Sequence, residues 1–259
     1  QLGKSPINEI ISAMTIDEKV ALLVGFGDED TPDSIPSATI GFTKKIIPGA
    51  AGITHAIPRL GIPSVVLADG PAGLRIDPKR PGTDSTFYCT HFPVATSLAS
   101  TWNTPLVKSV GNAICNETLE YGVDILLAPA TNIMRNPLCG RNFEYYSEDP
   151  ILAGKLTSAM IQGIQQNGVG TSIKHFALNN QETNRTGNNV LVSPYVMHEL
   201  YLKPFEIAIR ESTPWTVMSS YNKVNGEYAS ENILLLDSIL RRRWGYKGLV
   251  MTDWFGGQD

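Results

Sequence analysis

An irregular TIM-like (β/α) barrel is the fold class that the sequence predicts, and three observations predict it. Short apolar runs alternate with amphipathic helical windows along most of the chain, the pattern of a parallel α/β fold. Nearly every apolar run ends in a charged or hydrogen-bonding cluster. The length of 259 residues, with 42% hydrophobic and 18% charged residues, suits one large α/β domain with a full core.

Taken in order, the first 24 residues read as a broken pair of helices between Ser5 and Val24. The break falls at Thr15-Ile-Asp-Glu18, which has the spacing of a capping box. Residues 25 to 63 are rich in Gly, Pro, Ser, Thr and Asp without periodicity, and read as a long irregular connection. Strands are expected at Ser64 to Ala68, Phe92 to Ala95, Asp124 to Ala128, Thr171 to His175, Thr216 to Ser219 and Leu249 to Thr252. Helices are expected near Thr104 to Tyr121, Pro150 to Gln166, Ser193 to Glu211 and Ile233 to Trp244. Each opens on a Pro, Ser, Thr, Asn or Asp start signal.

The polar clusters separate a barrel from a doubly wound sheet. In both, the C-terminal ends of parallel strands share one rim. Here the clusters Asp69 with Arg75, Asn132 to Arg141, Lys174 with His175, Ser219 to Asn222, and Asp253 are spread over successive units, as a barrel requires. No Gly-x-Gly-x-x-Gly phosphate loop follows any strand.

Each cluster has a chemical reading and a structural one. Asp69 can accept hydrogen bonds from vicinal hydroxyls across its Gly-Pro turn, or it can pair with Arg75 to fix that turn. In the loop Asn136 to Pro150, Arg141 is the functional choice, while Glu144 either orients Arg141 or meets a ligand. Lys174 and His175 are adjacent, so on a regular strand one faces the pocket and the other faces away. Tyr221 can hold a carboxylate by a hydrogen bond or sit on the barrel edge, and Trp254 can stack on a sugar or join the core. Asp253 follows the apolar run from Leu249 and has the setting of a nucleophile.

The net charge of −4, without long runs of one sign, gives no reason to expect nucleic acid or an anionic membrane as partner. No segment reaches the eighteen or so continuous apolar residues of a membrane-crossing helix, and the N-terminus has no basic-then-apolar leader. A soluble chain is expected, either cytoplasmic or exported with its leader removed. Cys89, Cys115 and Cys139 are odd in number and widely spaced, so free thiols are expected rather than disulfides or a zinc site.

The runs Leu67-Ala-Asp69-Gly-Pro-Ala-Gly-Leu-Arg75, Cys139-Gly-Arg141-Asn-Phe-Glu144, Lys174-His175-Phe, Val217-Met-Ser-Ser-Tyr221-Asn222 and Thr252-Asp253-Trp254 together resemble glycoside hydrolase family 3. The likeness is greatest to its bacterial β-glucosidases and spans essentially the whole chain. It implies that residues 1–259 are an N-terminal barrel domain with Asp253 as nucleophile. Around the terminal sugar it implies Asp69, Arg75, Arg141, Lys174, His175, Met218, Tyr221 and Trp254, with no cofactor or metal. It also implies non-proline cis peptides near His175 or Phe176, which would bring both polar side chains into the pocket.

The implied chemistry is retaining hydrolysis of β-D-glucosides and oligosaccharides. Asp253 attacks the anomeric carbon while an acid about 5 to 5.5 Å away protonates the leaving oxygen. Asp253 stands close to the last residue, Asp259, so the barrel is expected to be incomplete. The remainder of the barrel and an α/β sandwich domain carrying the acid/base Glu are expected to be absent partners. Lys174-His-Phe-Ala-Leu-Asn-Asn180 departs from the Lys-His-Phe-Pro-Gly-His-Gly run of the single-domain β-N-acetylglucosaminidases. The alternatives are a sugar-binding barrel fragment, a β-xylosidase or β-N-acetylglucosaminidase, and a transglycosylase or phosphorylase of the same family.

Overall fold

In the computed structural model, which describes residues 1–25, 46–80 and 82–257, the N-terminal pair forms as α1 (Ile7–Ala13) and α2 (Ile16–Val24). The break is held as its sequence predicts. Thr15 Oγ1 accepts from Glu18 N at 3.2 Å, and Thr15 N donates to Glu18 Oε2 at 2.8 Å. Residues 26–45 of the expected connection lie outside the described residues. Its later part is not wholly irregular, because β1 (Gly52–Ile53) pairs antiparallel with β2 (Val66–Asp69). Two residues are too few to show a period, which is why the run gives no strand signal.

Beyond β2 the chain alternates as expected, with one correction. Phe92 to Ala95 is not a strand. Ala95 opens α3 (Ala95–Ala99), and Pro93, which has no N–H for a ladder, stands in the approach to it. Phe92 instead donates its backbone N–H to Ala72 O and packs on the core. Then follow α4 (Thr104–Glu120), β3 (Ile125–Leu127), α5 (Pro150–Gln165) and β4 (Gly170–Phe176).

After β4 come β5 (Asn189–Val190), α6 (Pro194–Val196) and α7 (Lys203–Ser212), then β6 (Thr216–Ser219), β7 (Lys223–Val224), β8 (Glu227–Tyr228) and β9 (Leu249–Thr252). The expected helix Ser193 to Glu211 is therefore divided. A π-wound turn at Met197–Tyr201 separates α6 from α7, and Pro204 starts α7, where its missing N–H costs nothing. A second π-wound helix, Leu234–Arg243, precedes β9.

Six strands form one sheet in the order β1-β2-β3-β4-β6-β9, and every pair from β2 onward is parallel. The two faces hold different clusters. Val66, Ala68 and Leu126 point outward onto α3, α4 and α5, while Ile173, Val217 and Val250 point outward onto α7 and the helix Leu234–Arg243. Alternate residues Leu67, Leu127, Met218 and Met251 point inward and meet Trp254. This is the two-residue period of strands buried on both faces. Lengthwise apolar packing anchors it, as where the fully buried Phe176 meets Phe205 and Trp244 edge to face. One side chain so buried contributes roughly 1.5–3 kcal/mol. The β5, β7 and β8 segments form a separate small sheet. The three cysteines are free thiols, Cys115 buried and the others half-buried.

The close approach of α4 and α5 rests on two glycines. A Cβ at Gly163 would lie 2.2 Å from Lys108 O, and one at Gly111 would lie 2.7 Å from Met160 O. Backbone against backbone leaves no side chain to yield. Gly163→Ala is therefore expected to destabilise the fold by about 1–3 kcal/mol, read as a lowered midpoint in urea denaturation.

Candidate active site

The inward-facing residues at the C-terminal ends of the strands converge, and one irregularity decides which they are. From Ile173↔Val217 the ladder of β4 and β6 resumes at Phe176↔Ser219, so β4 carries one extra residue. Such a bulge turns two successive side chains toward one face. Lys174 and His175 both enter the pocket, in place of the one-in, one-out arrangement of a regular strand. The peptide bonds Lys174–His175 and Phe176–Ala177 are cis. Asn132, from the loop after β3, clamps the bulge: its Oδ1 accepts from His175 N at 2.9 Å and its Nδ2 donates to His175 O at 3.0 Å.

Lys174, buried, donates to Asp69 Oδ1 at 2.9 Å. Arg75 reaches Asp69 Oδ2 at 3.6 Å from a mostly exposed position, so it closes the turn more loosely than Lys174 holds the carboxylate. Gly70 lets that turn form, since it has φ 152° and a Cβ there would sit 1.9 Å from Gly73 O. Burial alone would raise the Asp69 pKa. The charge and hydrogen bond of Lys174, then the charges of Arg75 and Arg141, outweigh it and hold Asp69 below the usual carboxylate range. Arg141 is bound through Nε to Glu144 Oε1, and Glu144 is buried, so Glu144 orients Arg141 rather than facing a ligand.

Asp253 is buried at the end of β9 and receives two donors on one oxygen. Tyr221 Oη donates to Oδ1 at 2.8 Å and Trp254 N donates to the same atom at 2.9 Å. Among the described residues, no hydrogen bond engages Oδ2, whose ionisable neighbour is His175 Nε2 at 3.9 Å. Burial, with the charges of Arg141, Lys174 and Arg185, pushes the His175 pKa well below the ordinary histidine value, so its imidazole is neutral near pH 7. Burial, then the charge and hydrogen bond of Asp253, pushes the Tyr221 phenol up, so it remains a donor. The half-buried Trp254 is fixed by its Nε1 bond to Ala51 O at 3.0 Å, and buried Met218 packs in the apolar cluster beneath it.

Of the expected site residues, Asp69, Arg75, Arg141, Lys174, His175, Tyr221, Asp253 and Trp254 thus stand on the same rim, and Met218 lies beneath it in the apolar cluster. Asp69, Arg75 and Lys174 form one group, with Arg141 acting on both Asp69 and His175 through its charge. Asp253, Tyr221, His175 and Trp254 form the other. Residue types and spacing placed Asn132 in a strand-end cluster without a role, and missed the rest of the supporting polar set: Tyr145, Asn179, Glu182 and Arg185. Their only sequence signal is their density in the two loops that follow β3 and β4. A surface cavity of about 550 Å3 lined by Trp215, Trp244, Tyr246 and Gly248 opens instead at the N-terminal ends of β6 and β9.

Residues 56–258 match the model of the glycosyl hydrolase family 3 N-terminal domain. The chain belongs to glycosyl hydrolase family 3. It is similar to β-glucosidase B of Emericella nidulans, at 43% identity over 99% of this chain and 27% of that protein. It is also similar to the exo-α-(1→6)-L-arabinopyranosidase of Bifidobacterium longum, at 41% identity over 89% of this chain and 31% of that protein. Among solved family 3 structures, β-glucosidase 3B from Thermotoga neapolitana in complex with glucose aligns with a TM-score of 0.91 and 54% identity. The alignment covers 98% of this chain and 34% of that one. The chain therefore spans about a third or less of the length of these relatives, and its sheet is a segment of the family's barrel. Among the described residues no helix is long and apolar enough to cross a membrane.

The neutrality of His175 has a stability consequence. Its folded pKa lies below the unfolded value of about 6.5, so in acid the unfolded chain binds a proton that the folded chain refuses. Stability is then lost as the pH falls below about 6.5. Relative to His175→Gln, the protein is expected to lose about 1–2 kcal/mol more between pH 7.5 and 5, measured by urea denaturation at the two pH values.

Proposed function

We propose that the protein acts as a retaining exo-β-glycosidase, of the β-glucosidase type, through a covalent glycosyl intermediate on Asp253. The observation that carries this reading is the asymmetry of the Asp253 carboxylate. With Oδ1 held by Tyr221 and by the Trp254 amide, the carboxylate cannot turn, and Oδ2 is presented to the pocket. A nucleophile so oriented forms the bond to the anomeric carbon while the leaving oxygen departs. Asp69, Lys174 and Arg141 supply an acceptor and cationic donors for sugar hydroxyls, and Trp254 supplies an apolar face beside the nucleophile.

Among the described residues, three carboxylates of this neighbourhood are paired with cations: Asp69 with Lys174, Glu144 with Arg141 and Glu182 with Arg185. Against its burial, the charge and hydrogen bond of Lys174 hold Asp69 below the usual carboxylate range, which makes it a poor proton donor. The general acid of this reading is therefore a group other than Asp69. Substrates whose leaving group departs without a proton bypass it. The similarity to the L-arabinopyranosidase supports a second substrate reading, since α-L-arabinopyranosides present a pyranose ring without the exocyclic carbon of glucose.

Three measurements test the proposal. In the intact protein, Asp253→Ala is expected to lower kcat for an aryl β-glucoside by about 10^3-fold or more, with binding of glucose retained; near-normal turnover would overturn it. Tyr221→Phe removes a hydrogen bond to a charged acceptor and is expected to lower kcat by about 10- to 100-fold, with KM little changed. Across aryl β-D-glucoside, β-D-xyloside and α-L-arabinopyranoside, kcat/KM is expected to be highest for the glucoside. A tenfold preference for either of the others would reassign the substrate and leave the role of Asp253 in place.

A further inference from the structure

The loop after β4 places Arg185 where no sugar contact is needed to explain it. Its guanidinium carbon lies 4.8 Å from the centroid of the Tyr221 ring, and Nη1 donates to Glu182 Oε2 at 2.9 Å. Glu182 Oε1 accepts from Asn179 Nδ2 at 3.3 Å, and the same amide donates to Tyr145 Oη at 3.1 Å. Tyr145 Oη in turn lies 3.4 Å from His175 Nδ1. A continuous polar chain therefore runs from Arg185 to His175. The two ends of this chain stand on opposite sides of Asp253. Tyr221 holds Oδ1 at one end and His175 faces Oδ2 at the other.

We propose that Arg185 is a positioning residue for the nucleophile: it pins the Tyr221 ring from one face and, through Glu182, Asn179 and Tyr145, ties that ring to the orientation of His175. The proposal rests on the reading of Asp253 as nucleophile. A cation over the ring face is attracted by its quadrupole and draws density from the phenol, making its O–H a better donor to Oδ1. Glu182 keeps the guanidinium in register, so the contact does not depend on an exposed side chain finding its place. The charge of Arg185 also helps to keep His175 neutral, which leaves the ring a hydrogen-bonding group rather than a counter-ion to Asp253.

The test compares the intact protein with Arg185→Met, which keeps the stem and removes the charge, and with Arg185→Lys, which restores a cation. The probe is a 2-deoxy-2-fluoro-β-glucoside with a dinitrophenolate leaving group. The bond from an Asp253 oxygen to C1 forms, the C1–O bond breaks, and dinitrophenolate leaves with the electron pair, so no proton donor is required. Arg185→Met is expected to lower the rate of adduct formation by about tenfold, with the dissociation constant for glucose changed less than twofold, and Arg185→Lys to recover part of the rate. An unchanged rate, or a loss of glucose affinity matching the loss of rate, would overturn the positioning role; the latter would make Arg185 a sugar ligand. If the unaltered protein forms no adduct, the glycosidase reading fails on its own. The crystal structure of Arg185→Met then still decides whether Arg185 pins Tyr221: displacement of Tyr221 Oη from its 2.8 Å contact with Asp253 supports the pinning, and an unmoved Tyr221 refutes it.

Discussion

The extra residue in β4 and the Asn132 amide that holds it are the constraint on which the site depends. Without the bulge, the pleat would send His175 to the outer face, into the apolar layer where Phe176 packs on Phe205 and Trp244. Burying an imidazole there without partners would cost stability. With the bulge, Phe176 keeps its place in the outer core, and two polar side chains enter the pocket side by side. Asn132 satisfies the backbone groups of His175 that the interrupted ladder leaves unpaired.

Charge is distributed in this pocket by pairing rather than by accumulation. Lys174 with Asp69 and Arg141 with Glu144 are compensated pairs, each with one partner buried and the other partly exposed. Buried pairs of this kind are costly to form and costlier to break by removing one partner. They leave a rigid array of donors and acceptors suited to a neutral, hydroxyl-rich ligand. Asp253 is treated differently. Its close partners are a phenol, a backbone N–H and a neutral imidazole, so its charge is solvated without being cancelled. An attacking oxygen needs that distinction, because a full counter-ion would hold the lone pair that has to reach carbon.

The scaffold supports this division through packing remote from the pocket. The backbone contact of α4 with α5 at Gly111 and Gly163 sets the wall behind β2 and β3. The cluster of Phe176, Phe205, Trp244 and Ile239 does the same behind β4, β6 and β9. Strand ends held on such walls place side chains more closely than free loops would. The loops add the second layer: Tyr145 follows β3, and Asn179, Glu182 and Arg185 follow β4.

The sequence by itself determined the periodic and covalent features. Alternation of runs located five of the six parallel-type strand candidates, capping spacing located the break at Thr15, and the residue types at the strand ends located Asp69, Lys174, Tyr221 and Asp253. These are legible because a strand or helix signal needs only near neighbours. Phe92 to Ala95 misled the reading because four apolar residues have no period long enough to separate a strand from the approach to a helix. Only the tertiary structure decided which cation each carboxylate takes, that both Lys174 and His175 face inward, that Asn132 clamps the bulge, and that Tyr145, Asn179, Glu182 and Arg185 belong to the site. The physical reason is distance along the chain: Lys174 meets Asp69 across 105 positions, and no local pattern records which of several charged groups the closing sheet will bring within 3 Å.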